Sequence, residues 1–240
     1  MFALFFFAGI CYNIEKSERR RGMRYRCLVL DHDDTCVDST RKVNYPQFQT
    51  MLAALRPGLR ITEDEFIGYC CDPGFYGMCR EVLHYTDDEL ERHIDNWKAY
   101  LKTHRAPFFD GIPELIRRQK AEGGIVCVIS HSYENTIRPL YDHFGVTQPD
   151  VVFGAEYPDE QRKPNPFPLR ELMRLYDLEA SEILVVDDMP LGLTMARACG
   201  VDFAAAAWYG MPGFIREKLA GNCDYFFETV EELSAVQFGA

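Results

Sequence analysis

Positive charge is in short supply in this 240-residue chain: 26 Lys and Arg stand against 37 Asp and Glu, a formal net charge of −11. A surface that grips a nucleic-acid backbone needs the opposite balance, because phosphates are met by cations. Generic nucleic-acid binding is therefore not expected. A local basic pocket is still allowed, since one lysine or a metal ion can bring a phosphorylated molecule to an acidic protein. The nine cysteines are odd in number and contain no CxxC pair, which argues for small buried thiols in a reducing compartment rather than a disulfide framework. Cys70, Cys71, Cys79 and His84 fall close together, but at none of the usual zinc-ligand spacings. The chain also has no apolar run of membrane-spanning length. Met1–Ile14 is nearly all apolar but shorter than the roughly 20 residues required, and Arg19–Arg21 follow it, whereas a signal peptide would carry its charge first. The expectation is a natural start at Met23, with residues 1–22 an N-terminal extension, and a cytoplasmic protein without stable membrane insertion. Repeats and low-complexity tracts are missing too. With 47% hydrophobic and 26% charged residues, what is present is enough for a well-filled core plus a small accessory domain.

Short apolar runs recur along the chain at Arg26–Leu30, Gly124–Ile129, Val151–Phe153, Ile183–Val186 and, more weakly, Val201–Ala207. Runs apolar at every position predict strands buried on both faces, hence a parallel sheet. Helical patterns at Pro113–Glu122, Glu134–Phe144, Pro168–Tyr176 and Leu191–Cys199 alternate with them. The fold class is therefore α/β, a doubly wound parallel sheet, whose ligands belong at the carboxyl ends of the strands. Residues 39–105 break this alternation. They offer no convincing strand, two Thr-x-x-Glu helix starts at Thr62 and Thr86, and a helical stripe of Leu90, Ile94, Trp97 and Leu101. They read as a helical cap inserted after the first strand, with 23–38 and 106–240 forming the catalytic core.

Chemistry concentrates at the predicted strand ends. The first strand runs into Asp31-His32-Asp33-Asp34-Thr35. Residues two apart in extended chain face the same way, so Asp31 and Asp33 can share one reaction centre, and neighbouring carboxylates imply a cation or a shared proton between them. The second strand ends at Ser130, whose hydroxyl can donate to an anion or cap the next helix, and His131 and Ser132 follow it. Lys163-Pro164-Asn165-Pro166 places an amine on stiff chain. The fourth strand ends in Asp187-Asp188, costly to bury unless something positive meets them. Hard oxygen ligands point to Mg²⁺ rather than zinc. Asp31 can attack phosphorus, Asp33 can exchange the proton, and Ser130, Lys163 and a metal can offset the phosphoryl charge.

Leu28 through Asp31-His32-Asp33-Asp34-Thr35, the strand ending at Ser130, Lys163-Pro164, and Ile183 to Asp188 resemble in order the four motifs of the haloacid dehalogenase superfamily. The placing of the helical insert resembles its C1-cap subfamily, and the resemblance spans about Arg24 to Leu233. It implies a Rossmann-like core and an aspartyl-phosphate mechanism with Asp31 as nucleophile, Asp33 as acid and base, and Ser130 and Lys163 on the phosphate. It also implies Mg²⁺ held by Asp31, the Asp33 backbone carbonyl and Asp188, with Asp187 as a ligand or just behind one. Asp34 stands where many members have Gly, and His131 where a smaller residue is common, so His131 is a candidate for substrate contact or helix capping. A phosphatase for a small phosphorylated metabolite is the leading expectation. A β-phosphoglucomutase-like mutase and a non-catalytic binding module on the same scaffold are the alternatives. Dehalogenation would leave Asp33 and the second acidic pair without work. In the cap, Arg80, His84 and Lys98 are the polar candidates for substrate contact, and Phe75, Tyr76 and Trp97 for the interface.

Overall fold

The computed structural model describes residues 22–239; the N-terminal extension expected over residues 1–22 lies, apart from Gly22, outside them. Six short strands, β1 (Cys27–Leu30), β2 (Ile125–Ile129), β3 (Val151–Phe153), β4 (Ile183–Asp187), β5 (Asp202–Ala206) and β6 (Tyr225–Phe227), form one parallel sheet in the order β3-β2-β1-β4-β5-β6. Alternate residues feed opposite faces. Cys27 and Val29 of β1 enter one hydrophobic cluster, with Leu169, Met195 and Ile215; Leu28 and Leu30 enter the other, with Leu115, Ile137 and Leu233. Burial on both sides is why these strands read as unbroken apolar runs.

The helices that supply those clusters are α4 (Ile112–Ala121), α5 (Glu134–Phe144), α6 (Phe167–Tyr176), α7 (Pro190–Cys199), α8 (Gly213–Leu219) and α9 (Val230–Phe238). Every expected strand and core helix is present within a residue or two at its ends. The chain beyond Ala207 adds β6, α8 and α9, which composition does not announce: β6 is three residues long and half-buried. The start of α9 did carry a signal, since Thr229 accepts from the Glu232 amide and Glu232 from the Thr229 amide. Gln237 near the end of α9 is buried; its Nε2 donates to Tyr25 O and Gln119 Oε1, both at 2.7 Å, and its Oε1 accepts from Tyr25 N at 3.1 Å.

Residues 39–105, between β1 and α4, hold three α-helices longer than one turn: α1 (Tyr45–Leu55), which continues a wide helical turn over Thr40–Asn44, α2 (Glu63–Cys71) and α3 (Asp87–Tyr100). Both Thr-x-x-Glu starts form full capping boxes, at Thr62/Glu65 and Thr86/Glu89. Of the expected α3 stripe, Leu90 is buried in the first cluster with Ile94 packed on it, and Leu101 packs on the second cluster. Trp97 is instead turned to Asn44, its Nε1 donating to Asn44 Oδ1 at 3.1 Å. Within the described residues no helix is long and apolar enough to cross a membrane.

Candidate active site

Strand register brings the distant segments together. Leu30 lies opposite Val128 on β2 and Val186 on β4, so the residues after each emerge at one edge of the sheet. The Asp31 amide continues the ladder, donating to Val186 O at 2.9 Å. At that edge Lys163 Nζ, buried, donates to Asp31 Oδ1 at 2.5 Å and to Asp187 Oδ2 at 2.7 Å. One carboxylate oxygen from each of Asp31, Asp187 and Asp188 lies within 4.8 Å of the others, and all three residues are buried. Gly192, in the first turns of α7, makes this possible: a Cβ there would sit 2.4 Å from Asp187 Oδ2. The Asp187 carboxylate also accepts from Met189 N at 2.8 Å.

Three carboxylates share one ammonium. Burial pushes the Asp31 carboxyl well above the ordinary range, against the pull of Lys163 and with the push of Asp187. Asp188 is raised in the same direction by burial and by Asp187 and Asp31. Burial would lower Lys163, but Asp187 and Asp31 outweigh it and hold the ammonium above its usual value. Asp188 Oδ2 is buried without a hydrogen-bond partner, and its Oδ1 has Thr35 Oγ1 at 3.5 Å. A surplus of buried negative charge, hard oxygen donors and an unsatisfied carboxylate oxygen fit a divalent cation. Within the described residues this is the one such group; Cys70, Cys71, Cys79 and His84 form none, so the zinc spacing that looked wrong in the sequence gathers no site.

Asp33 is set apart from that cluster: its Oδ2 accepts from Ser132 Oγ at 2.6 Å, with Ser130 Oγ at 3.5 Å. Its side chain is therefore not one of the clustered carboxylates; the metal assignment from the resemblance concerned its backbone carbonyl. Burial would raise Asp33, but His32 and the Ser132 hydroxyl outweigh it and keep the carboxyl below its ordinary value. Ser130 Oγ accepts from Ser132 N at 3.0 Å. His131 caps nothing, since Tyr133 precedes α5; its Nε2 donates to Lys163 O at 2.9 Å, pinning the lysine's backbone instead. Asp34 adopts φ +56°, the left-handed region that favours glycine and that Asp tolerates better than most residues, and its Oδ1 accepts from Thr40 N at 2.9 Å. Sequence reasoning missed Ser132 and the Asp34–Thr40 link; the only sign of Ser132 was its spacing, two residues past Ser130.

A cleft of about 290 Å³ opens onto Asp33 and Ser132, between the end of α3 and the start of α5. Lys98 and Trp97 line it; Arg80 and His84 do not. Arg80 is exposed, 3.5 Å from Asp87, so the structure does not bring it to the strand-end carboxylates. Phe75 packs edge-on against His93 inside the insert, and Tyr76 is half-exposed beside it.

A sequence profile of the haloacid dehalogenase-like hydrolases matches residues 28–206, about three quarters of the chain. A Caldanaerobacter subterraneus protein provisionally named the pyrophosphatase PpaX is 25% identical over 215 residues, covering 88% of this chain and 94% of its own length. The phosphoglycolate phosphatase of Rhodospirillum rubrum is 32% identical over 145 residues, 60% of this chain and 52% of that protein. Among solved structures, Rhodobacter sphaeroides CbbY in complex with xylulose 1,5-bisphosphate is similar with a TM-score of 0.68 at 20% identity, over 87% of this chain and 96% of that one.

Proposed function

The chain belongs to the haloacid dehalogenase-like hydrolase family, and we propose that it is a Mg²⁺-dependent phosphatase that hydrolyses a small phosphorylated metabolite through an aspartyl-phosphate. Relatives named as phosphatases support the class, phosphoglycolate phosphatase among them. The observation that carries the reading is the buried junction at which Lys163 bridges Asp31 and Asp187, beside Asp188, with Asp33 two residues further on. The divisions of the chain follow the same proposal: residues 23–38 and 106–240 hold the chemistry, and 39–105 cover it. A cytoplasmic setting fits the eight free thiols among the described residues.

In the first step an Asp31 carboxylate oxygen attacks phosphorus and the ester P–O bond breaks. The departing oxygen takes a proton from Asp33. In the second, Asp33 removes a proton from water, the oxygen attacks phosphorus, and the bond to Asp31 breaks, restoring the carboxylate and releasing phosphate. Lys163 keeps Asp31 oriented and, with Ser130, offsets the charge on the transferring group. Asp31, Asp187 and Asp188, with the Asp33 carbonyl, would hold Mg²⁺, which supplies charge neutralisation at the phosphoryl oxygens. His32 and the Ser132 hydroxyl hold the Asp33 carboxyl below its ordinary value in the free enzyme, so it is ionised there and gains its proton as substrate arrives. The dianionic phosphoryl group arriving beside it favours the protonated form needed for the first step.

Phosphate release from a panel of sugar phosphates, phosphoglycolate and pyrophosphate, with and without Mg²⁺, tests the class. Acid quenching with ³²P-labelled substrate should trap hydroxylamine-labile label on the protein, and Asp31→Asn should abolish both readouts. Full activity in that variant would remove Asp31 as nucleophile. A hexose 1-phosphate converted to its 6-phosphate without free phosphate would favour the mutase.

A further inference from the structure

At the carboxyl edge two buried oxygens from neighbouring segments are without hydrogen-bond partners: Asp188 Oδ2 and the Tyr209 hydroxyl. Strand pairing brings their residues together. Asp187 lies opposite Ala205 on β5, so the chain leaving β5 passes beside Asp188. It does so in a turn fastened on both sides of Tyr209. The Gly210 amide donates to Ala207 O at 3.3 Å, and Gly210 takes φ +83°, in the left-handed region that favours glycine. Trp208 Nε1 donates to Thr35 O at 3.1 Å, in the loop that carries Asp31 and Asp33. Arg41 Nη2 donates to Gly210 O at 3.5 Å, and a Cβ on Gly210 would stand 2.8 Å from that nitrogen. Tyr209 packs in the first hydrophobic cluster and is 3% exposed, so solvent cannot satisfy its hydroxyl. That hydroxyl faces Asp188. Burial pushes the phenol up, then the charges of Asp188 and Asp34, then Asp188 as an acceptor, so the proton stays on the oxygen.

We propose that Tyr209 is a positioning residue for the cation: its hydroxyl donates to Asp188 Oδ2 and holds that carboxylate toward Asp31 and Asp187. The proposal rests on the phosphatase reading of this edge and deepens it by naming the donor that Asp188 lacks. Lys163 donates to Asp31 and to Asp187. Asp188 has, among the described residues, only Thr35 Oγ1, at 3.5 Å from Oδ1. An ionised carboxylate has about four acceptor sites, so a phenol on Oδ2 leaves room for a metal. A group behind a metal ligand fixes the ligand's orientation, and a buried donor and acceptor that face one another are costly unless they pair. Tyr209 acts through Asp188 rather than on the substrate.

Mg²⁺ is titrated by calorimetry, without substrate, into the full chain and into Tyr209→Phe, which deletes one oxygen and keeps the ring. The dissociation constant should rise about tenfold or more in the variant. With p-nitrophenyl phosphate, the Mg²⁺ concentration that gives half the maximal rate should rise by a similar factor, while kcat at saturating Mg²⁺ stays within about threefold. The melting temperature without metal should hold, and its rise on adding Mg²⁺ should shrink. Tyr85→Phe removes another buried, unpartnered phenol oxygen, in the helical insert, and should leave Mg²⁺ affinity unchanged. The proposal is overturned by unchanged Mg²⁺ affinity in Tyr209→Phe, by an equal loss in Tyr85→Phe, or by no Mg²⁺ binding in the unsubstituted chain. A lower melting temperature without metal, at unchanged affinity, would reduce Tyr209 to packing. Failure of the phosphatase reading looks different: no Asp31-dependent phosphate release, while the two Mg²⁺ titrations still differ.

Discussion

At the carboxyl edge of the sheet, three buried carboxylates face one ammonium and one carboxylate oxygen has no partner. In the helical insert the buried polar side chains are neutral, although His93 Nδ1 and Tyr85 Oη lack partners there. His93 Nε2 meets Gln47 Oε1 at 3.1 Å, Gln47 Nε2 donates to Asn96 Oδ1 at 3.0 Å, and charge is kept to pairs such as Arg56 with Glu89 at 2.8 Å. The edge buries a surplus of negative charge that an added cation would balance, whereas the insert buries polar groups without net charge. Surplus buried charge is the mark of a region arranged for something else, and neutral buried polarity that of a region arranged for its own stability. Substitutions at the edge should therefore change turnover first, and those inside the insert should change stability first.

The sharpest break in that contrast comes from Asp31→Asn. Turnover should fall by at least the order of 10³-fold, measured as phosphate release, while the melting temperature without added metal holds or rises because a repelled buried charge is gone. Lys163→Met should strike both properties: activity drops by roughly 10²-fold or more, and unfolding in urea shows a loss of about 3–5 kcal/mol from carboxylates left without their cation. In the insert the lever is pH. Burial pulls His93 down to about 4 from the 6.5 it has when unfolded, so the folded form takes up its proton later than the unfolded form. Stability is then full above pH 6.5 and declines as pH falls from 6.5 toward 4, by about 3 kcal/mol at most. His93→Gln should flatten that part of the urea-denaturation profile and leave kcat at neutral pH within about twofold; an unchanged profile would rule His93 out as its source. The smallest effect is expected from Thr86→Ala, which removes one half of a capping box at α3 and should cost about 1 kcal/mol of stability with no change in turnover.

The same contrast explains what could be read from the sequence. β1, β2 and β4 were visible because both faces are buried, which leaves no polar residue to interrupt them. The acids at their ends stood out because charge following an apolar run is costly without a partner. Ser132 was hidden because its role depends on Asp33, 99 residues away in sequence, pointing toward β2. The capping reading of His131 failed for a similar reason: its partner is a backbone carbonyl, which no pattern of side chains can announce. Arg80 shows what only the fold adds: it stands exposed on the short wide helix Met78–Val82, beside Asp87. Lys98, near the end of α3, looks like an ordinary solvated residue until the fold places it in the lining of the cleft that also holds Asp33.

The buried amides joining Gln119, Gln237 and Tyr25 lie at the amino end of β1, six residues of nearly extended chain before Asp31, or about 20 Å from it. The close of the described chain is thereby stitched to the underside of the sheet. A probe or surface anchor attached after residue 239 would grip the molecule by that underside, leaving the carboxyl edge facing solution for single-molecule or immobilised assays.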